Sequence, residues 1–267
     1  MTARRSRLAR GLGTRDAVVL GLGAMIGAGV FTAFAPAARA AGSGLLAGLG
    51  IAAVVAYCNA TSSARLAARY PESGGTYVYG RERLGPFWGY LAGWGFVVGK
   101  AASCAAMALT VVAYAAPGLA QPWRGLCAVG VVAALTAVNY VGVRRSARAT
   151  TVLVGLSLLV LAVAVGTLLV AGEPDVTTLS PFPGTGVRGV LEAAGLLFFA
   201  FAGYARIATL GEEVREPERT IPRAIPLALG IVLVVYIAVG FAVLLTLGPA
   251  DLGARADPLA HAVAATA

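Results

Sequence analysis

The chain has 267 residues, a net charge of +9 and a hydrophobic content of 58%, and its mean hydropathy is +0.81. Only 12% of its residues are charged, whereas soluble domains carry about 25%. This composition excludes a soluble enzyme or binding domain and predicts an integral membrane protein. The positive charge does not indicate a nucleic-acid partner, because the basic residues are concentrated in alternate segments between the spans, as in a membrane protein.

Long apolar segments predict an all-α membrane protein with about seven spanning helices. Each segment has, or nearly has, the roughly 20 residues that a spanning helix needs. The third begins before its charge-free run, since 87–99 is also apolar and only Lys100 interrupts it. The predicted spans are 17–38, 40–64, 101–123, 125–143, 149–172, 189–211 and 224–250.

The basic residues are unequally distributed between alternate connecting segments. Most of the 21 lysines and arginines lie before the first span or after the second, fourth and sixth. Because cytoplasmic segments are enriched in Lys and Arg, this bias predicts that the N-terminus is cytoplasmic. The chain is then a multi-pass protein of the plasma (inner) membrane. Residues 1–15 are then a basic cytoplasmic N-terminus, and the arginines contact the lipid bilayer through anionic headgroups.

The first span contains a cluster of glycines, at Gly21, Gly23, Gly27 and Gly29. A glycine inside a helix costs about 0.5–1 kcal/mol relative to alanine, so the segment predicts a break in the helix. Broken helices survive at membrane depth only where protein or an internal cavity covers them, and there they hold ligands. The alternative is that Gly23 and Gly27 form a helix-packing face.

The sixth span has a second candidate break. Phe198, Phe199 and Phe201 lead into the small residues Ala202 and Gly203 in mid-span. Interrupted helices at corresponding positions of two inverted five-helix repeats indicate a transporter site. Lipid-facing phenylalanines are the alternative interpretation.

Lys100 is a lone cation within the third span. A lysine at the bilayer centre costs about 3 kcal/mol and usually faces a cavity, which makes Lys100 a candidate ion-coupling residue; packing against backbone carbonyls is the alternative. No His or Cys spacing predicts a metal site, and no acid–base cluster predicts an enzyme or a cofactor. A seven-helix receptor is the main competing class, which the predicted N-terminal orientation opposes.

Four segments together resemble amino acid permeases of the amino acid–polyamine–organocation superfamily, nearest the cationic amino acid transporter-like branch. Their positions are GLGAMIGAGVF (21–31), YPESGGTYVYGRERLGPFWGYLAGW (70–94), NYVGVRRSARATTVL (139–153) and FFAFAGYARIATLGEEVREPERTIPRAI (198–225). The resemblance implies a leucine-transporter-like inverted-repeat fold with helices 1 and 6 discontinuous. The first repeat is then 16–171, and an extracellular loop follows at 172–188. Residues 189–267 begin the second repeat and end before the eighth helix of the fold.

The resemblance also implies secondary active transport of amino acids by alternating access, with proton coupling or exchange. The substrate, a neutral or cationic amino acid, would bind at the two breaks. Aligned on GVRRSAR, Ser157 occupies the place of a proton-coupling lysine, and an aromatic residue at the second break, Phe199 or Phe201, would be a gate. The alternative is a truncated, non-transporting fragment that needs further helices or a partner chain. The implied binding residues are Met25, Ile26, Gly27, Ala28 and Gly29 in the first break, and Phe199, Ala200, Phe201 and Gly203 in the second.

Overall fold

The computed structural model describes residues 11–70, 74–140, 147–172, 175–182 and 185–266. These residues form helices joined by short turns, apart from one isolated bridge between Leu12 and Val214. In chain order the helices are α1 (Thr14–Met25), α2 (Ala28–Thr32), α3 (Phe34–Ala41), α4 (Leu45–Arg69), α5 (Thr76–Leu84), α6 (Pro86–Ala115), α7 (Trp123–Tyr140), α8 (Ala147–Ala171), α9 (Gly186–Phe201), α10 (Ala205–Ala208), α11 (Pro217–Ala254) and α12 (Pro258–Thr266).

The predicted all-α membrane class is confirmed. Six helical segments in the described part of the chain are long and apolar enough to cross a bilayer. The seventh prediction, 125–143, corresponds to α7, whose apolar part, Trp123–Val138, is shorter than a full span. Residues 141–143, at the end of that predicted span, lie outside the described residues. The third predicted span ended too late, because α6 stops at Ala115, just before Pro117 and Gly118.

The first predicted discontinuity is present, whereas at the second the chain keeps helical dihedral angles and only tightens its turn. α1 ends at Met25, and the chain resumes a helical course at Ala28 after Ile26 and Gly27, whose dihedral angles lie outside the helical region. In the sixth span the α-helical pattern tightens into a 3₁₀ turn at Ala202–Tyr204 before α10. Such short 3₁₀ segments are frequent where a helix is interrupted.

The core of the described structure lies among the broken helices and their neighbours. α4 packs on α9 and α11, while α1 packs on α11. About half of the residues in the spans of α1, α4, α9 and α11 are buried, against 17% in α6 and 22% in Thr150–Ala171 of α8. The outer helices therefore present apolar side chains outwards, as a surface in contact with lipid does.

The motif segment 70–94 is largely helical in its described residues. α5 begins after Gly75, which has φ +56°, and α6 begins with Pro86 directly after Gly85 at φ +103°. Proline at the first helical position and glycine between helices are the usual signals of such boundaries. The aromatic residues around this junction are exposed, as expected of rings at a membrane–water boundary. They include Phe87, Trp88, Tyr90 and Trp94.

Candidate functional site

The break in the first span leaves a helix beginning in the middle of the protein. Ala33 has helical dihedral angles, its N–H donates to the Gly29 carbonyl, and the Ala37 N–H donates to the Ala33 carbonyl. α2 and α3 therefore form an almost continuous helix that starts at Ala28. The first N–H groups of a helix have no partner within it and carry partial positive charge. The break thus offers hydrogen-bond donors to an anionic group.

The two breaks lie directly against each other. Gly203, in the 3₁₀ turn, packs on the backbone of α1, and a methyl group added there would collide with the Ala24 carbonyl and approach the Met25 nitrogen to 2.6 Å. On the other side of the first break, a methyl group on Gly29 would lie 2.8 Å from Cα of Ala200. Glycine at both positions is what allows the two backbones to touch.

Tyr236 of α11 connects the two breaks by hydrogen bonds. Its hydroxyl group lies 2.6 Å from the Met25 carbonyl oxygen and 3.0 Å from the Ala200 carbonyl oxygen, and it can donate to either. Its side chain is fully buried, and its ring packs 5.1 Å from the ring of Phe201 and 6.4 Å from that of Phe34. A single side chain therefore fixes the spacing of both interrupted helices.

Sequence analysis did not single out Tyr236, which lies in an uninterrupted apolar segment. The one available signal was that it is the only hydrogen-bonding side chain in the apolar segment 227–245.

Most residues predicted for the binding site do gather at the two breaks, but their environments differ. Met25, Ile26, Ala200 and Phe201 are buried, and Gly27 is partly open. Phe199, one of the two predicted gate residues, is 45% exposed, whereas Phe201 packs against Tyr236. Ala28 belongs to the start of α2, and nothing is described of its side chain.

The two candidate ion-coupling residues lie on different helices. Ser157 is half-buried on α8, three residues after Val154, whose Cγ2 would lie 3.1 Å from a methyl group at Gly23 of α1. Lys100 is exposed on α6, with its Nζ 5.8 Å from the centre of the Phe96 ring. The structure therefore brings Ser157 near the first half of the broken helix and leaves Lys100 apart from it.

The end of the site beyond α2 is closed. The Tyr114 hydroxyl of α6 donates to the Phe31 carbonyl at 3.1 Å, and the two rings meet edge to face at 5.6 Å. α12 also contacts α2. These contacts join α6, α2 and α12 over the breaks.

The opposite end contains a cavity of about 610 Å³. It lies between the end of α4, the helix α5, the start of α6 and the segment after the second break. Arg83 is the only formally charged residue among the described residues that line it, and its guanidinium group lies 5.6 Å from the ring centre of Tyr70. The polar lining residues include Asn59, Ser62, Ser63, Thr76, Tyr77, Tyr79, Tyr204 and Thr209.

Tyr79 forms part of the cavity wall and is buried there. Its hydroxyl is directed to the Ala208 carbonyl at 3.4 Å, and burial raises the pKa of Tyr79 to about 12. α5 is thereby attached to the end of the second broken helix.

The start of the chain is joined to the segment that follows the second broken helix. The Leu12 N–H donates to the Glu213 carbonyl at 3.2 Å, and the Arg215 N–H donates to the Leu12 carbonyl at 2.8 Å. The two broken helices are thus connected at their outer ends as well as at their breaks.

The comparison with protein families agrees with this geometry. A sequence profile of the family described as amino acid permease matches residues 12–266, nearly the whole chain. The chain belongs to the amino acid permease family. This permease is therefore a member of the amino acid–polyamine–organocation superfamily, as the four sequence motifs predicted.

Named relatives are transporters. The permease is 65% identical over 256 residues to an uncharacterised transporter of Mycobacterium tuberculosis, a match that covers 96% of this chain and 57% of the relative. It is 30% identical over 258 residues to the branched-chain amino acid permease of Bacillus subtilis, covering 89% of this chain and 55% of that protein.

A plant relative extends the comparison. The match to the chloroplastic cationic amino acid transporter 9 of Arabidopsis thaliana is 30% identical over 283 residues, covering 96% of this chain and 48% of that protein. The chain thus spans about half the length of the curated relatives it matches.

Proposed function

We propose that this permease binds an amino acid between its two helix breaks and carries it across the membrane by alternating access. The observation that carries the proposal is the contact between the breaks. Gly203 packs on the backbone at Ala24 and Met25, and Tyr236 reaches a carbonyl oxygen of each break. Interrupted helices that meet inside a membrane protein serve to bind solutes.

The chemistry of the breaks suits a zwitterion. The helix that begins at Ala28 offers N–H groups and the positive end of its dipole to the substrate's α-carboxylate. Carbonyl groups released by the 3₁₀ turn after Phe201 accept from its ammonium group. We assign Met25, Ile26, Gly27, Ala28 and Gly29 to the carboxylate side. Phe199, Ala200, Phe201 and Gly203 form the ammonium side.

The asymmetry of the two ends supports alternating access. Tyr114 and α12 close the end beyond α2, whereas a cavity of about 610 Å³ opens beside the segment after the second break. We infer that this is a conformation open to one side. From the arginine distribution we assign that side to the cytoplasm of the cell, with the N-terminus there and the protein in the plasma (inner) membrane.

The wider organisation follows from the same proposal. Residues 16–171 form a first five-helix repeat, 172–188 an extracellular loop, and 189–267 the start of an inverted second repeat. The driving force is a proton gradient or exchange of one amino acid for another, with Ser157 and Lys100 as the candidate coupling positions. No enzymatic step is required for this activity.

The proposal is tested by measuring binding and uptake of labelled amino acids. The purified protein is reconstituted in liposomes, with and without a pH gradient, and offered neutral, cationic and acidic amino acids. Gly203→Ala should abolish specific uptake, because the added methyl group separates the two breaks. Gly195→Ala is the matched control, since none of the described residues lies within 4 Å of a methyl group built there, on the preceding helix α9.

Two results would contradict the proposal. One is the absence of specific binding and uptake for every amino acid offered to the wild-type protein. The other is full uptake by Gly203→Ala. Uptake that is stimulated by a pH gradient would support proton coupling, whereas stimulation by an internal amino acid would support exchange.

A further inference from the structure

Between Gly95 and Ala115, the polar side chains of α6 lie on one side of the helix. In an α-helix with 3.6 residues per turn, a residue seven positions from another lies only about 20° away from it around the axis. Relative to Met107, each polar or thiol side chain between Gly95 and Ala115 lies within about 60° on this geometry. These side chains are Lys100, Ser103, Cys104, Thr110 and Tyr114.

Three contacts fix the direction in which this polar face points. Phe96, which lies about 20° from Met107 around the helix axis, lines the cavity. Met107 is the nearest neighbour of a methyl group built on Gly27, with its Sδ 4.0 Å away. Tyr114 contacts Phe31 of α2. The polar face of α6 therefore runs from the cavity past the first break to the closed end.

Lys100 lies on this face between the cavity and the break. It is one turn beyond Phe96, and about 10 Å along the helix axis from Met107 at a rise of 1.5 Å per residue. A lysine that points to lipid in mid-span is expensive, whereas one that faces a water-filled path is not. The position of Lys100 on the polar face thus accounts for a cation in the middle of a spanning helix.

We infer that Lys100 lines the solute path and makes this permease selective for amino acids without a cationic side chain. The inference rests on the proposed function and names its substrate class. A fixed cation repels lysine and arginine side chains at close range in a partly desolvated path and leaves a net-neutral amino acid unaffected. Arg83, which lines the cavity, adds a second positive charge to the proposed path. No carboxylate is found among the described residues that line the cavity.

The location of Lys100 is tested without any substrate. In a background in which Cys58, Cys104 and Cys127 are replaced, Lys100→Cys should react with a membrane-impermeant, charged methanethiosulfonate reagent. Val98→Cys is the control, because Val98 lies on the opposite side of α6 at about 180° from Met107. It should react at least ten-fold more slowly. Equal rates at the two positions would overturn the assignment of Lys100 to the path.

Its effect on selectivity is tested with binding of labelled leucine and arginine to the full 267-residue chain. The wild type should bind leucine at least ten-fold more tightly than arginine. Lys100→Glu should reduce this ratio at least ten-fold, and Lys100→Met, which leaves no charge, should reduce it by a smaller factor. Lys100→Arg should preserve the ratio, as should Arg124→Met, which removes a cation from α7 instead.

The outcomes separate the inference from the proposed function. If the wild type binds arginine as tightly as leucine, or if neither Lys100→Glu nor Lys100→Met changes the ratio, the role of Lys100 is overturned and amino acid binding stands. If the wild type binds no amino acid, the proposed function fails and the selectivity role fails with it. A melting curve of each variant identifies any variant that does not fold. If Lys100→Glu does not fold, the binding ratio of Lys100→Met decides whether Lys100 controls selectivity.

Discussion

The hydroxyl of Tyr236 provides the sharpest test of the contact between the two breaks. Tyr236→Phe removes one oxygen atom and keeps the ring that packs on Phe201 and Phe34. The Met25 carbonyl retains the Gly27 N–H at 2.9 Å, so the loss is one buried hydroxyl donor shared by two carbonyl groups. Interhelical hydrogen bonds in membrane proteins contribute from about 0.6 to 1.7 kcal/mol, and a buried acceptor left without its donor costs about 1–3 kcal/mol.

We therefore expect Tyr236→Phe to lower the free energy of unfolding by about 1–2 kcal/mol. Tyr236→Ala also removes the ring and should cost about 3–5 kcal/mol, as for other large aromatic side chains in a core. The measurement is unfolding of the purified protein in mixed micelles by increasing fractions of sodium dodecyl sulfate. Amino acid binding should weaken in both variants, because the spacing of the breaks is no longer fixed.

The matched control is Tyr90→Phe, at a position that is 68% exposed. Its effect on the free energy of unfolding should remain within about 0.5 kcal/mol, as for most surface substitutions. If Tyr236→Phe unfolds at the same fraction of denaturant as Tyr90→Phe and binds amino acids as the wild type does, the hydroxyl does not connect the breaks.

Three further predictions follow from single contacts. Gly203→Ala should lower the free energy of unfolding by about 1–3 kcal/mol because it overpacks a backbone contact, whereas Gly195→Ala, in open space on a helix, should leave it unchanged or raise it by up to about 1 kcal/mol. Because the pKa of Tyr79 is raised to about 12, its contribution to stability is complete below pH 10 and is lost as the pH rises towards 12; Tyr79→Phe should make alkaline unfolding less steep in that interval. Tyr114→Phe, which removes the hydrogen bond to Phe31, should lower the free energy of unfolding by about 1 kcal/mol in the same unfolding assay.

Sequence reasoning located the breaks because their signals are local. Four glycines in one span and a small-residue pair in another lower helix stability wherever the chain folds. The helix α5 also has local signals at its boundaries, Gly75 before it and Pro86 after it. These boundaries were predictable in principle from the chain itself.

The partners of the breaks were not predictable in the same way. Tyr236 lies in a helix whose every face is apolar, so hydrophobic periodicity does not indicate which face meets another helix. The direction of the polar face of α6 was likewise determined only by the positions of Met107 beside Gly27 and of Tyr114 beside Phe31. Residues that act across helices are determined by tertiary packing, and a single sequence does not contain that information in a local form.

The glycine-rich segment of the first span shows how two interpretations of one motif can hold together. Gly21 packs against Ile207, Gly23 against Val154 and Gly29 against Ala200, each closely enough that a methyl group would touch its neighbour. Of the two glycines that the packing alternative names, Gly23 packs as predicted, and Gly21 and Gly29 pack closely although the alternative did not include them. Gly27 differs, because the Met107 sulfur, 4.0 Å away, is the only neighbour within that distance of a methyl group built there among the described residues.

The two classes of glycine should therefore respond differently to alanine. Gly29→Ala brings a methyl group within 2.8 Å of the Ala200 backbone and should lower the free energy of unfolding by about 1–3 kcal/mol. Gly27→Ala meets no steric obstacle and should change stability by less than about 0.5 kcal/mol, yet weaken amino acid binding by narrowing the space between the breaks. Unfolding and binding measured on the same two proteins decide the matter. A Gly27→Ala variant that binds amino acids normally would place the substrate elsewhere, because a methyl group at the centre of the break could not then share its space with a carboxylate.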